Sequence, residues 1–178
     1  MNKKLKVTAR QICIFSMLGT IMFLSKLVLE FLPNIHMLGM LTMVYTLVYR
    51  KKALIPIYIY VFLNGLYAGF SLWWVPYLYI FSVLWLVTML LPKKMPLRAQ
   101  MTVYPVVCAL HGLLFGVLYS PFQALIMRLT VKQTLAWIAA GFFPFDVIHA
   151  IGNFLFGMLI VPLVKLLTLL ESKTAIKN

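Results

Sequence analysis

The sequence predicts an all-α integral membrane protein with six transmembrane helices, and three observations support this fold class. The chain has 178 residues, is 63% hydrophobic and has a mean hydropathy of +0.99, whereas soluble domains are roughly half apolar. Its apolar stretches approach or exceed the length of about 20 residues with which a helix crosses a bilayer. Its basic residues are grouped between pairs of these stretches. We therefore expect a single domain over residues 1–178, with its apolar surface buried in lipid.

The basic residues also predict the orientation of the chain. Of the 16 Lys and Arg residues, 13 fall in four clusters, which are Lys3/Lys4/Lys6/Arg10, Arg50/Lys51/Lys52, Lys93/Lys94/Arg98 and Lys165/Lys173/Lys177. Short basic loops stay cytoplasmic because positive charge near a helix end resists translocation. Each pair of apolar stretches then runs out and back, with both termini in the cytoplasm. The net charge of +13 follows from these loops and favours anionic inner-leaflet lipid rather than nucleic acid.

The six helices are expected at about 11–32, 37–49, 53–70, 73–91, 101–127 and 144–170. The first ends at Leu32, before Pro33, and is too long for the apolar core of a signal peptide, so we expect it to be retained. The second is short for a full span, which predicts that it is tilted, buried or locally extended. The last begins near Pro144, since proline is favoured at the first helical position. The outer segment 128–143 is expected to hold a short interfacial helix at 135–140.

Polar side chains converge on the outer half of this predicted bundle. Such groups are costly in a membrane and usually face a cavity, a partner or each other. Those of the outer half include Lys26, Glu30, Asn34, His36, Asn64, Tyr119 and Gln123. In the last helix, Asp146, His149 and Asn153 follow at i, i+3 and i+7 and form one stripe. The pattern predicts a binding pocket that is open to the outside and closed towards the cytoplasm.

Several of these residues also have a purely structural interpretation. Lys26 and Glu30 are four residues apart and could form an ion pair on one helix face. Asp146 could cap the positive end of the last helix. The aromatic run 73–79 is also typical of an interfacial belt, and His111 could bond a neighbouring helix. The sequence leaves these alternatives open.

A stripe of small residues runs along the cytoplasmic half of the first helix. Ala9, Cys13, Ser16 and Thr20 recur at i, i+4, i+7 and i+11. Small side chains allow close approach of helices in lipid, where packing drives association. The stripe predicts a docking face for a partner, or alternatively packing against another helix of the same chain.

Motifs for several enzyme classes are absent from the sequence. There is no G-x-x-x-x-G-K-[ST] loop for ATP, no G-x-S-x-G elbow and no H-E-x-x-H pair. Cys13 and Cys108 have no disulfide or metal spacing. We therefore expect neither an ATPase site nor other enzymatic activity, and neither a cofactor nor a metal ion.

Three local runs carry a resemblance to a known family. They are Leu-Pro-Asn-Ile-His at 32–36, Trp-Val-Pro-Tyr-Leu-Tyr at 74–79 and Pro-Phe-Asp-Val-Ile-His-Ala-Ile-Gly-Asn-Phe at 144–154. With six helices in under 200 residues, the chain resembles the substrate-binding S component of an energy-coupling factor (ECF) transporter. The resemblance implies capture of a vitamin-like molecule at the prokaryotic plasma membrane. It also implies delivery with a membrane T subunit and two cytoplasmic ATPases, through a helix-1 motif Ala-x-x-x-Ala that is here Ala9-x-x-x-Cys13.

The predicted pocket assigns roles to nine residues. Lys26, Glu30 and Asp146 are expected to complement charge on the substrate, and Asn64, His149 and Asn153 to hydrogen-bond it. Trp74, Tyr77 and Tyr119 are expected to stack on a flat ring. This mixture favours a heterocycle with a polar or zwitterionic substituent, in the style of thiamine, pyridoxine or a pterin. The alternatives are a ligand-free interaction subunit and an intramembrane enzyme that uses His111, His149 and Asp146.

Overall fold

The chain is all-helical in residues 7–175, which a computed structural model describes with side chains to Lys173. Within this range the helices are α1 (Ala9–Val28), α2 (Leu38–Tyr49), α3 (Leu54–Ala68), α4 (Tyr77–Leu90), α5 (Leu97–Leu113), α6 (Phe115–Met127), α7 (Val131–Gly141), α8 (Val147–Gly157) and α9 (Ile160–Ala175). Short 3₁₀ helices at Arg50–Ala53 and Leu72–Trp74, and a kinked π-helical turn at Phe142–Asp146, join some of them. Lys3, Lys4, Lys6 and Lys177 of the predicted basic clusters lie outside the described residues.

Four stretches of this described part are long and apolar enough to cross a membrane. They are Ala9–Val28, Leu72–Leu90, Leu97–Met127 and Val131–Gly157. The sequence predicted six such helices, but α2 has 12 residues and α3 has 15. At 1.5 Å per residue, helices of this size are about 18 and 22 Å long, shorter than a hydrocarbon core of about 30 Å.

Helix α2 forms the centre of the bundle. Its residues Leu38 to Thr46 are all buried, and it packs against α4, α5, α8 and α9 as well as α1 and α3. A helix that is apolar on every side can be surrounded in this way without burying charge. Of the three possibilities that its short length allowed, the structure selects burial.

Charged and polar contacts join several helix ends at one end of the bundle. The Arg10 guanidinium donates to Glu171 at 3.2 Å, Lys52 Nζ to Gln11 Oε1 at 2.7 Å and Arg50 to the Met89 carbonyl at 3.0 Å. These contacts bring together the start of α1, the α2–α3 turn, the end of α4 and the end of α9. Arg10, Arg50 and Lys52 come from two of the predicted clusters, and these three residues lie at one end, which we call the basic end.

Helices α5 and α8 pack closely because glycines remove side chains from their contact. A Cβ on Gly112 would lie 2.8 Å from the His149 carbonyl oxygen, and one on Gly157 would lie 2.8 Å from Pro105 Cα. Small residues at a helix interface let the two backbones approach in this way. The contact aligns the polar stripe of α8 with α5 and the start of α6.

The first helix ends earlier than its apolar pattern predicted. Helix α1 ends at Val28 rather than near Leu32, and turn hydrogen bonds follow, from the Glu30 amide to the Leu27 carbonyl and from Leu32 to Leu29. It also begins at Ala9, two residues before the predicted start. There the Thr8 hydroxyl accepts a hydrogen bond from the Gln11 amide, and the Gln11 side chain accepts one from the Thr8 amide, a reciprocal pair that fixes a helix start.

The two longest predicted helices are each divided in two. The predicted helix 101–127 is divided at Leu114 into α5 and α6, although Pro105 and Pro121 lie inside the two halves. The predicted helix 144–170 is divided at Met158–Leu159 into α8 and α9. Proline displaces the carbonyl four residues before it, and for Pro162 that carbonyl belongs to Met158. The division at Leu114 coincides instead with a hydrogen bond to a residue of the candidate site.

The outer segment contains a longer helix than the predicted 135–140. Helix α7 runs over Val131–Gly141 and begins with Thr130, whose hydroxyl accepts from the Gln133 amide while the Gln133 side chain accepts from the Thr130 amide. None of its residues is buried. It is therefore held mainly at its ends and by its contacts with α6 and the Phe142–Asp146 turn.

Candidate ligand-binding cavity

A cavity of about 400 Å³ opens at the end of the bundle opposite the basic end. It lies between the α1–α2 turn, the first part of α6, helix α7 and the turn into α8. Its lining residues are Asn34, Phe115, Gly116, Tyr119, Gln123, Trp137, Gly141, Phe145, Asp146 and His149. Sites for small molecules typically occupy about 300–1,000 Å³, with mostly apolar walls and a few convergent polar groups. This cavity has that size and that lining.

Asp146 is the acidic group of the cavity. Its side chain is only 4% exposed, and its Oδ1 accepts a hydrogen bond from the Gly116 amide at 3.1 Å. The other oxygen, Oδ2, is buried and has no hydrogen-bond partner within residues 7–175. A buried polar atom without a partner costs free energy, and the great majority of such atoms are satisfied. Asp146, which lines the cavity, therefore has one acceptor oxygen without a partner.

Gly116 allows this carboxylate to approach the backbone. A Cβ at this position would lie 2.5 Å from Asp146 Oδ2 and 3.4 Å from Oδ1. The Gly116 amide is free to donate because the chain breaks at Leu114, so the first turn of α6 has amide groups without intrahelical partners. Asp146 therefore caps the start of α6, at the point where the predicted helix divides, rather than the start of its own helix.

His149 forms one wall of the cavity and contacts a second histidine. Its Nε2 lies 2.7 Å from Nε2 of His36, which is in the α1–α2 turn. One nitrogen must be the acceptor, so the two facing nitrogens share a single proton. Burial, followed by the neighbouring His149, lowers the pKa of His36 to about 3, and His36 is therefore neutral at pH 7. The pair ties the turn to α8.

Aromatic rings form the remaining walls. Tyr119 and Trp137 are stacked with their ring centroids 6.1 Å apart and their planes at 21°. Phe115 lies 4.8 Å from the His149 ring and 6.2 Å from Tyr119. The Tyr119 hydroxyl donates to the Trp73 carbonyl at 3.1 Å, which fixes the ring. A planar molecule lying against the free face of one of these rings would gain stacking contacts.

Lys26 and Glu30 lie outside this cavity. Lys26 Nζ donates to Glu30 Oε1 at 2.5 Å and lies 5.1 Å from the centroid of the Tyr67 ring. The Tyr67 hydroxyl donates to Glu30 Oε2 at 3.3 Å. The structural interpretation of the pair accounts for these contacts, and we call Lys26, Glu30 and Tyr67 the ion-pair cluster. The hydrogen bond and charge of Lys26 hold the pKa of Glu30 below its usual value, against a smaller opposing effect of burial.

Asn64, Trp74 and Tyr77 are not part of the cavity lining. Asn64 is 3% exposed, and the Trp74 indole donates to the Val61 carbonyl at 2.8 Å. Tyr77 packs behind Phe115, with their ring centroids 6.4 Å apart. Of the nine residues with predicted roles in substrate binding, Tyr119, Asp146 and His149 line the cavity.

Asn153 bonds helices together. Its amide donates to the Cys108 carbonyl at 3.0 Å. A Cβ on Gly39 of α2 would lie 3.0 Å from this side chain, and one on Gly112 of α5 would lie 2.8 Å from it. The side chain therefore fills the junction of three helices. His111 makes a similar contact, with its Nε2 3.2 Å from the Ile80 carbonyl oxygen.

The small-residue stripe of α1 faces outward. Ala9, Cys13, Ser16 and Thr20 are all exposed. Helix α1 instead packs on α3 through Gly19, where a Cβ would lie 2.6 Å from the Ile59 side chain. The alternative, in which the stripe packs inside the same chain, is therefore wrong for these four residues.

Several lining residues received no role from the sequence. Asn34 and Gln123 were placed at the outer end without one, and Phe115, Trp137 and Phe145 were not singled out. Trp137 carried a usable signal, because it is the one aromatic residue in the predicted outer helix 135–140. Among the described residues, no group of three His, Cys, Asp or Glu side chains is placed to hold a metal ion.

Comparison with protein-family models, with curated proteins and with solved structures finds no match for this chain.

Proposed function

We propose that this chain is the capture subunit of an ATP-driven importer of the ECF type. In this proposal it spans the membrane six times, with its basic end in the cytoplasm, and binds a vitamin-like molecule from outside. A T subunit and two ATPases then deliver the molecule. The observation that carries the proposal is the cavity around Asp146, with its unused acceptor and its aromatic walls.

The position of the cavity supports this direction of transport. Basic residues near helix ends favour the cytoplasmic side, and the cavity lies at the opposite end, at the α1–α2 turn. Helices α1, α2, α3, α4, α5–α6 and α8–α9 run in turn between these two ends, which is the number of passes that the proposal requires. The short helix α2 is shielded from lipid by its neighbours, so its length is compatible with this arrangement.

Release of a bound molecule tests the capture function. We would purify the protein in mild detergent, denature it and identify small molecules in the supernatant by mass spectrometry. Tight binding is mostly a matter of slow dissociation, so a captured ligand should remain through purification at close to one molecule per chain. Protein that releases nothing and shows no thermal shift with a vitamin panel would contradict capture and favour the ligand-free interaction subunit.

The exposed stripe of α1 supports docking on a membrane partner. Ser16→Trp would place a large ring on the stripe, whereas Met17→Trp changes the neighbouring residue, which is 64% exposed and about 100° away around the helix. We expect Ser16→Trp to abolish co-purification with the T subunit and transport, with ligand binding retained. Equal loss in both variants would contradict a specific docking face.

A further inference from the structure

Within residues 7–175, the cavity lining carries an acidic group and neither Lys nor Arg. Asp146 is the only Asp, Glu, Lys or Arg among the described residues that line it. The nearby Lys26 is engaged with Glu30 and Tyr67. A buried charge is costly unless it is paired, so the lining provides for one cationic or hydrogen-donating group on the ligand.

Anion binding at this cavity lacks its usual protein partners. Carboxylates and phosphates are bound by Arg, by Lys or by free amides at a helix start. Of the described residues in the lining, none is Arg or Lys, and the Gly116 amide at the start of α6 already donates to Asp146 Oδ1. His36 is neutral at pH 7. Its Nε2 and the Nε2 of His149 share a single proton in their hydrogen bond. An anionic group here would face the Asp146 carboxylate without a counter-charge.

The aromatic walls of the cavity also favour a cationic ligand. Tyr119 and Trp137 are stacked along the wall, and Phe115 continues it towards His149. Ring faces carry negative potential and attract cations, with Trp the best of the side chains. They also stack on flat rings.

Resting on the proposed capture function, we infer that the ligand is a planar nitrogen heterocycle with an N–H donor or a positive charge directed at Asp146 Oδ2. The part inside the cavity carries no carboxylate or phosphate. This replaces the zwitterionic substituent that the sequence suggested, because Lys26 is not available to bind its negative half. The inference distinguishes vitamin-like molecules by their charge.

Matched pairs of probes test this inference. Thiamine and thiamine diphosphate form one pair, and pyridoxamine and pyridoxamine 5′-phosphate form another. Binding to ligand-free protein would be measured by thermal shift and calorimetry, alongside the mass-spectrometric identification of the native ligand. We expect the native ligand to be a basic or N–H-bearing heterocycle without an acid group, and the phosphorylated member of any pair that binds to be weaker by about tenfold or more.

The outcomes separate this inference from the capture function. A released carboxylate or phosphate compound, or equal or tighter binding of a phosphorylated probe, would overturn the charge assignment and leave capture standing. Protein that releases nothing and binds no probe would overturn capture itself, and the charge assignment with it.

Two variants locate the effect. Asp146→Asn keeps an oxygen for the Gly116 amide and removes the charge, so we expect about tenfold or more weaker binding of the cationic ligand.

Trp137→Leu changes a helix that buries no residue and should weaken binding about fivefold. Leu135→Ala on the same helix is its control, since Leu135 is 61% exposed and lies outside the lining. Unchanged affinity in Asp146→Asn, or in Trp137→Leu, would contradict the corresponding contact.

Discussion

Glu30 and Asp146 lie towards the same end of the bundle, yet their carboxylates are in opposite states. Glu30 is 48% exposed, and its two oxygens accept from Lys26 and Tyr67. Asp146 is 4% exposed, and only Oδ1 has a partner in the described chain. The ion-pair cluster is complete without a ligand, whereas the cavity is not. The comparison shows that residue type alone does not distinguish a structural acid from a candidate ligand group, whereas burial and the number of hydrogen-bond partners together do.

The largest expected effect separates these two acids directly. Asp146→Asn should weaken capture by about tenfold to a hundredfold, because a hydrogen bond to a charged group contributes about 1.5–3 kcal/mol. Glu30→Gln should change affinity by less than about twofold, since exposed ion pairs contribute little. Calorimetry with the ligand identified by mass spectrometry measures both. Equal losses in the two variants would remove the distinction between cavity and ion-pair cluster.

Gly116→Ala tests whether the approach of Asp146 to the backbone is required. The added Cβ would displace the Asp146 carboxylate, and overpacking typically costs about 1–3 kcal/mol. We expect a lower free energy of unfolding, seen as a lower thermal midpoint, together with weaker capture. Gly141→Ala is the matched control for stability, because its backbone is helical and its Cβ would meet no atom within 4 Å. A Gly116→Ala protein as stable as Gly141→Ala would contradict the contact.

Asn153→Ala should affect stability rather than recognition. Its loss removes the hydrogen bond to the Cys108 carbonyl, and such bonds between membrane helices contribute about 1 kcal/mol. We expect a lower thermal midpoint with unchanged affinity in the folded fraction. Thr168→Ala, which removes an exposed hydroxyl bonded within its own helix, should leave the midpoint almost unchanged. A selective loss of affinity in Asn153→Ala would restore the binding role predicted from sequence.

The smallest expected effect is the pH dependence of the ion-pair cluster. Lys26 lowers the pKa of Glu30 from its usual value of 4.5, so the unfolded chain takes up the proton first as pH falls. The contribution of the pair is present above pH 4.5 and is lost as pH falls through the lower pKa of the folded state. The difference in thermal midpoint between wild type and Glu30→Gln should therefore shrink in acid. A difference that grows below pH 4.5 would contradict this direction.

Local patterns predicted more of the bundle than of the cavity. The helix-1 stripe and the inward-facing series Asp146, His149 and Asn153 follow from spacing along one helix. The gathering of basic residues at one end follows from their grouping between pairs of apolar stretches. The break at Leu114 did not follow from such patterns, because the acid that caps α6 beside it lies 32 positions later in the chain. Trp137 joins the cavity only because α7 folds back over α6. Contacts between distant segments have no periodicity that one sequence could display.

The sequence by itself determined that this chain is helical and apolar enough for a membrane, with basic residues that gather at one end. Those properties follow from side-chain transfer energies and helical periodicity, which act locally. Only the tertiary structure decided that Glu30 is paired, that Asn153 joins helices and that Asp146 retains an unused oxygen beside aromatic rings. Satisfaction of a polar group depends on which atoms of other helices reach it, and helix packing alone fixes those distances.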